Sequence, residues 1–168
     1  MLKAAPGRLL ILFLGVGALL TACTPAVEVA PAKDSADPAC APMMIALPDA
    51  LADAPLRETS SQATAAWGNP SVVVLRCGVT PPPRTTTDTC VGVNGVDWVM
   101  KQKGDTWTLT TYGRQPATEI LFSEKNVASS TILPQLAASV SKIPQTYKCV
   151  GPAETLPTGS STGSSTNN

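Results

Sequence analysis

Residues 90–101 read Cys-Val-Gly-Val-Asn-Gly-Val-Asp-Trp-Val-Met-Lys, and this stretch decides the fold. Asn94-Gly95 sits between two apolar arms. A two-residue hairpin turn of type I′ needs positive φ at both central positions, and Asn-Gly adopts it with least strain. The stretch predicts an antiparallel hairpin with arms over 90–93 and 96–101. In the second arm Val96, Trp98 and Met100 alternate with Asp97, Val99 and Lys101, the period of two that strands require.

Further strands lie on either side. Residues 106–112 follow Gly104-Asp105, and here Trp107 and Leu109 alternate with threonines. Residues 117–122 (ATEILF) form another run, with Ile120 and Phe122 on one face. Upstream, residues 71–77 (SVVVLRC) are β-branched and apolar on both faces, bounded by Gly68-Asn69-Pro70 and Gly78. A run of that kind reads as a central strand. Residues 41–54 carry Met43, Met44, Leu47 and Leu51 at helical spacing, but Pro48 and Pro55 limit them to one or two short turns. Beyond the strands, Leu133, Leu136, Ala137, Val140 and Ile143 make one helical stripe. Thr131 is the expected N-cap, with Pro134 at the third helical position and Pro144 ending the helix. The order predicts an α+β fold: an antiparallel sheet of about five strands, a short N-terminal helical segment, and a C-terminal helix packed on one face.

The flanks of this domain read differently. Lys3 and Arg8 precede a twelve-residue apolar run, Leu9–Leu20, of the length of a signal-peptide core and too short to span a bilayer. Then comes Leu20-Thr21-Ala22-Cys23. This resembles the bacterial lipobox, in which the cysteine thiol receives a diacylglyceryl group and becomes the new N-terminus. Residues 1–22 are therefore expected to be a lipoprotein signal peptide and Cys23 the lipidation site. Residues 23–39 read as the lipidated cysteine and an Ala/Pro-rich tether, extended to at most about 50 Å and able to hold the domain clear of the headgroups. Residues 40–150 form a single domain. The last segment, 151–168, is a Ser/Thr/Gly tail with too few apolar groups to order itself.

The chain has 168 residues, 5 cysteines, and 12 basic against 12 acidic side chains. Removing the leader with Lys3 and Arg8 turns this balance slightly acidic. Balanced charge argues against nucleic acid as a partner. An odd cysteine count in an exported chain needs explaining. Assigning Cys23 to lipid leaves Cys40, Cys77, Cys90 and Cys149, the number for two disulfides. Four cysteines allow three connectivities; the expected pairs are Cys77–Cys90 and Cys40–Cys149.

The chain contains no histidine. That removes Ser-His-Asp and Cys-His catalysis and any histidine metal ligand. Ser139-Val-Ser-Lys142 matches S-x-x-K, but the S-D-N and K-T-G partners of that motif are missing. Asp97, Asp105 and Glu119 are the carboxylates from which an acid–base pair or a weak calcium site could be built, although turn and solvated-face roles account for them. No metal and no cofactor is expected. Trp67 and Arg114 are the candidate partner surface, since tryptophan beside arginine recurs in sugar and peptide binders; the plainer reading places the tryptophans in the core.

Several stretches together resemble an actinobacterial lipoprotein family known as domain of unknown function 3515. They are Cys40-Ala-Pro-Met-Met-Ile-Ala-Leu-Pro48, Ala65-Ala66-Trp67-Gly68-Asn69-Pro70, Val74-Leu75-Arg76-Cys77-Gly78-Val79, Val93-Asn94-Gly95-Val96-Asp97-Trp98, and Gly113-Arg114. The resemblance covers about residues 40–147, leaving out the linker and the tail. It implies an exported, mostly lipid-anchored envelope protein with no assigned activity. The expected role is a non-enzymatic binding or scaffolding module on the outer face of the cytoplasmic membrane. Its partners are the membrane leaflet, through the lipid on Cys23, and an unknown envelope component. The alternatives are a small-ligand-binding lipoprotein and a carboxylate-based wall-modifying enzyme.

Overall fold

The computed structural model describes residues 25–84 and 88–150. The expected signal peptide over residues 1–22, the expected lipidation site Cys23 and the Ser/Thr/Gly-rich residues 151–168 lie outside the described residues. A short helix α1 (Cys40–Ile45) is followed by β1 (Ala50–Leu51), β2 (Ala54–Arg57), β3 (Thr64–Trp67), β4 (Val73–Val79), β5 (Thr89–Val93), β6 (Val96–Lys103), β7 (Thr106–Thr111) and β8 (Ala117–Phe122), and then by α2 (Ser129–Val140). The strands form one antiparallel sheet in the order β1-β2-β3-β4-β8-β7-β6-β5.

The hairpin forms as its Asn-Gly turn dictates, with Val93 opposite Val96 and both turn residues at positive φ. β8 matches the expected run residue for residue. It inserts between β7 and β4, so the strand read as central from its two apolar faces is indeed interior. The sheet has eight strands rather than about five. The end of the stretch 41–54, expected as helical turns, instead supplies β1 and the start of β2, because the prolines that stop a helix are tolerated near a sheet edge. β3 has all four residues buried and therefore shows no alternation to read.

One face of the sheet holds the core. Ala65, Leu75, Ile120, Leu109 and Met100 form a continuous cross-strand row from β3 to β6. The stripe Leu133, Leu136, Ala137, Val140 and Ile143 buries itself against the same cluster, which also takes in Trp98 and Met43. α2 begins earlier than expected. Ser129 is its first residue and Ala128 its N-cap, with no side-chain cap bond. The Glu124 carboxylate instead accepts the Ser129 N–H at 3.1 Å, which suits the positive end of a helix. Pro134 consequently falls inside the helix rather than in its first turn.

The opposite face carries Arg76, Glu119, Thr110 and Val99 in register. Here residues 25–39 depart from a free tether. The Val27 N–H donates to Glu58 O at 2.8 Å, Ser60 N–H donates to Val27 O at 2.9 Å, and Asp34 N–H donates to Gly78 O at 2.9 Å. Val29 and Ala32 are buried. The segment is thus folded onto the domain, because its scattered apolar residues and free backbone groups find partners along the β2–β3 connection and β4. This removes most of the 50 Å reach.

The disulfides join Cys40 to Cys77 and Cys90 to Cys149, with Cα–Cα distances of 5.9 Å in each. This corrects the expected connectivity. β8, β7 and β6 separate β4 from β5, a gap of about 19 Å at ~4.8 Å per strand. Cys77 also faces the helices, whereas Cys90 occupies the other face. A disulfide needs Cα atoms within about 7 Å, so Cys77 and Cys90 cannot meet. One bridge pins α1 to the centre of the sheet. The other pins the C-terminal stretch to the β5 edge.

Candidate functional site

Trp67 and Arg114, the expected partner surface, are both buried. Trp67 closes the interior strand β3, and its indole N–H donates to Pro48 O at 3.1 Å. Arg114 follows β7. Its guanidinium donates through Nη1 to Ile143 O, in the turn after α2, and through Nη2 to Gly95 O at 3.1 Å, in the hairpin turn. Burial pulls this group below its usual pKa, and the Asp97 carboxylate acts in the opposite sense. Arg114 is therefore an internal strut that satisfies carbonyls from two elements, and neither residue offers a surface.

The three acidic residues do not converge. The Asp97 carboxylate accepts Gln145 Nε2 at 2.9 Å and the Cys149 N–H at 2.8 Å. Asp105 accepts Lys125 Nζ at 2.7 Å. Glu119 accepts Arg76 Nε at 2.6 Å on the open face of the sheet. Each carboxylate has its own structural partner. Ser139, the serine of the S-x-x-K match, is buried and donates from Oγ to Ala46 O at 2.5 Å, joining the two helices, while Lys142 is exposed. Among the described residues, no group of three or more His, Cys, Asp or Glu could hold a metal ion, and no helix is long and apolar enough to cross a membrane.

A concavity among the described residues lies elsewhere. A cleft of about 460 Å³ runs between α1 and the β2–β3 region, lined by Met44, Leu47, Leu56, Arg57, Glu58 and Thr64 among others. A second, of about 240 Å³, opens on the other side of Met44 and includes Ile45, Ala41 and Ala63. Ile45 is 85% exposed and Leu56 38% exposed. Arg57 beside the first cleft donates to Gly68 O at 3.2 Å and to Pro25 O at 2.9 Å, so the same strand that walls the cleft also holds the start of the described chain. Sequence reading passed over this site, because Ile45 and Leu56 look like ordinary core residues until the topology leaves them outside.

These features define a disulfide-stapled α+β domain with one antiparallel sheet and a cleft of mixed apolar and charged lining between α1 and the β2–β3 region. The family described as "Protein of unknown function (DUF3515)" matches residues 8–147, and the chain belongs to that family. The match extends back beyond residue 40 and includes the segment 25–39 that packs on the domain. No curated protein and no solved structure matches the chain.

Proposed function

We propose that this chain is an exported, lipid-anchored envelope protein whose domain serves as a non-enzymatic binding or scaffolding module on the outer face of the cytoplasmic membrane. The partition of the cysteines carries this reading. Cys40, Cys77, Cys90 and Cys149 are consumed in two bridges, and bridges of this kind suit an oxidising, extracytoplasmic space. The remaining cysteine, Cys23, follows Leu20-Thr21-Ala22 at the end of an apolar run with a basic start. The separate structural employment of Asp97, Asp105 and Glu119, together with a chain free of histidine, favours binding over catalysis. For a small-ligand role the cleft beside α1 has a volume within the range of ligand sites.

Metabolic labelling with a palmitate analogue tests the anchor. Label is expected in the native chain and absent from Cys23→Ala. An unlabelled native chain overturns the reading.

A further inference from the structure

Resting on the lipidated Cys23 of that reading, we infer that the α1–β2 edge of the domain lies directly on the membrane leaflet, with Ile45 and Leu56 in contact with lipid. The argument begins with the length of chain between anchor and fold. Pro25 is held by Arg57 through its carbonyl, and Val27 is paired with Glu58 and Ser60 two residues later. Only Thr24 stands between Pro25 and Cys23. Two residues span at most about 7 Å of backbone. A lipid on Cys23 therefore draws the leaflet up to the Arg57–Glu58 wall of the cleft.

That wall belongs to the same edge as the exposed apolar side chains. Leu56 precedes Arg57 on β2, and Met44 and Leu47 face it across the cleft. Ile45 stands beside Met44 on a helix that the Cys40–Cys77 bridge fixes to the sheet. Ile45 points outward from it and is 85% exposed. Arg57, Glu58 and Asp49 at the cleft mix both signs of charge, so the contact is apolar and tether-driven and does not depend on a basic patch. With so short a link, no second protein fits between this edge and the headgroups. The occupant is the phospholipid surface.

The inference also fixes what faces outward. Six strand spacings separate β2 from β5, up to about 29 Å across the sheet at ~4.8 Å each. Cys149, bonded to β5, and the exposed Val150 leave the domain at that far edge. The C-terminal end is thereby presented away from the membrane.

The test uses the purified full-length lipidated protein in phosphatidylglycerol/phosphatidylethanolamine vesicles containing headgroup-proximal doxyl lipid. Ile45→Trp, Leu56→Trp and, on the far edge, Thr89→Trp are compared with the parent for quenching of the added fluorescence. All three replaced residues are exposed, so the fold tolerates the change. Ile45→Trp and Leu56→Trp should lose most of their added emission, whereas Thr89→Trp should keep it. The mass of the N-terminal peptide from the same preparations separates the two readings. An unmodified Cys23 overturns both. A diacylated Cys23 with equal quenching at the three positions, or with Ile45 crosslinked to a second copy, overturns this inference alone.

Discussion

The carboxylate of Asp97 accepts the backbone N–H of Cys149 at 2.8 Å, next to the disulfide that ties that residue to Cys90. The same carboxylate accepts Gln145 Nε2 and lies close enough to Arg114 to offset part of its burial. One acidic side chain thus orders the C-terminal stretch 145–149 against the sheet. Asp97→Ala removes two hydrogen bonds to a charged acceptor and leaves a buried cation without its counter-charge. The expected loss is about 2–4 kcal/mol in urea unfolding. Amide exchange should rise at residues 145–149, while β8 keeps its protection. Asp97→Asn keeps one acceptor oxygen and should fall between the two.

A β-carbon on Gly113 would lie 1.8 Å from the carbonyl oxygen of Tyr147, and Gly113 sits at φ +76°. Gly95 has a similar φ of +79°, with nothing within 4 Å of the corresponding position. The pair separates backbone strain from steric exclusion. Gly95→Ala should cost about 1–2 kcal/mol, the price of a left-handed conformation alone. Gly113→Ala must also displace the 146–148 backbone and break the Thr146 N–H to Gly113 O bond of 2.7 Å. It should cost clearly more than Gly95→Ala, and thermal unfolding of the two variants under the same conditions measures the difference.

The bridges close loops with sequence separations of 37 and 59 residues. In the chain-entropy view their removal should cost about 3.8 and 4.2 kcal/mol respectively. Paired alanine variants, Cys40→Ala/Cys77→Ala and Cys90→Ala/Cys149→Ala, should each lower the urea midpoint by a similar amount. Non-reducing peptide mapping should return Cys40–Cys77 and Cys90–Cys149 peptides. A Cys77–Cys90 peptide would contradict the sheet order itself, because three strands stand between those residues.

The cysteine pairing shows where sequence reading stops. The hairpin about Asn94-Gly95, the 106–111 and 117–122 strands and the stripe of α2 are all local patterns, and local patterns are visible as period and turn chemistry. The position of β8 between β4 and β7 is not local. It follows from burying Ile120 against both Leu75 and Leu109, and no spacing in the sequence announces it. Once β8 is inserted, Cys77 and Cys90 are carried apart, and Cys40 becomes the partner of Cys77. The plainer reading, with the tryptophans in the core, holds for Trp67, whereas nothing local marks Arg114 as buried. Their hydrogen-bond acceptors, Pro48, Ile143 and Gly95, come from elements distant in the chain. The exposed Ile45 and Leu56 were hidden for the complementary reason: an apolar residue declares its burial only when its neighbours in space are known.

Gly78 decides whether the N-terminal segment stays on the domain. It sits at φ +92° in β4, at the register shift between Cys77 and Val79, and its carbonyl accepts the Asp34 N–H at 2.9 Å. A β-carbon there would lie 2.4 Å from the Asp34 carbonyl carbon and oxygen and 2.6 Å from Ser35 N. These are backbone atoms, so the clash cannot be relieved by a rotamer change. Gly104 is the matched control, with φ +60° and nothing within 4 Å. Gly78→Ala should push residues 30–35 off the sheet, expose Val29 and Ala32, and lose the Asp34 N–H to Gly78 O bond. Limited proteolysis should then cut within residues 25–39 at least tenfold faster than in the native chain, which corresponds to about 1.4 kcal/mol of local opening. Gly104→Ala should leave that cleavage rate unchanged. If both variants are cut at the native rate, residues 25–39 owe their order to something other than the Gly78 contact. If the native chain is cut there as fast as Gly78→Ala, the segment is a free tether after all, and the short link from Cys23 to the fold disappears with it.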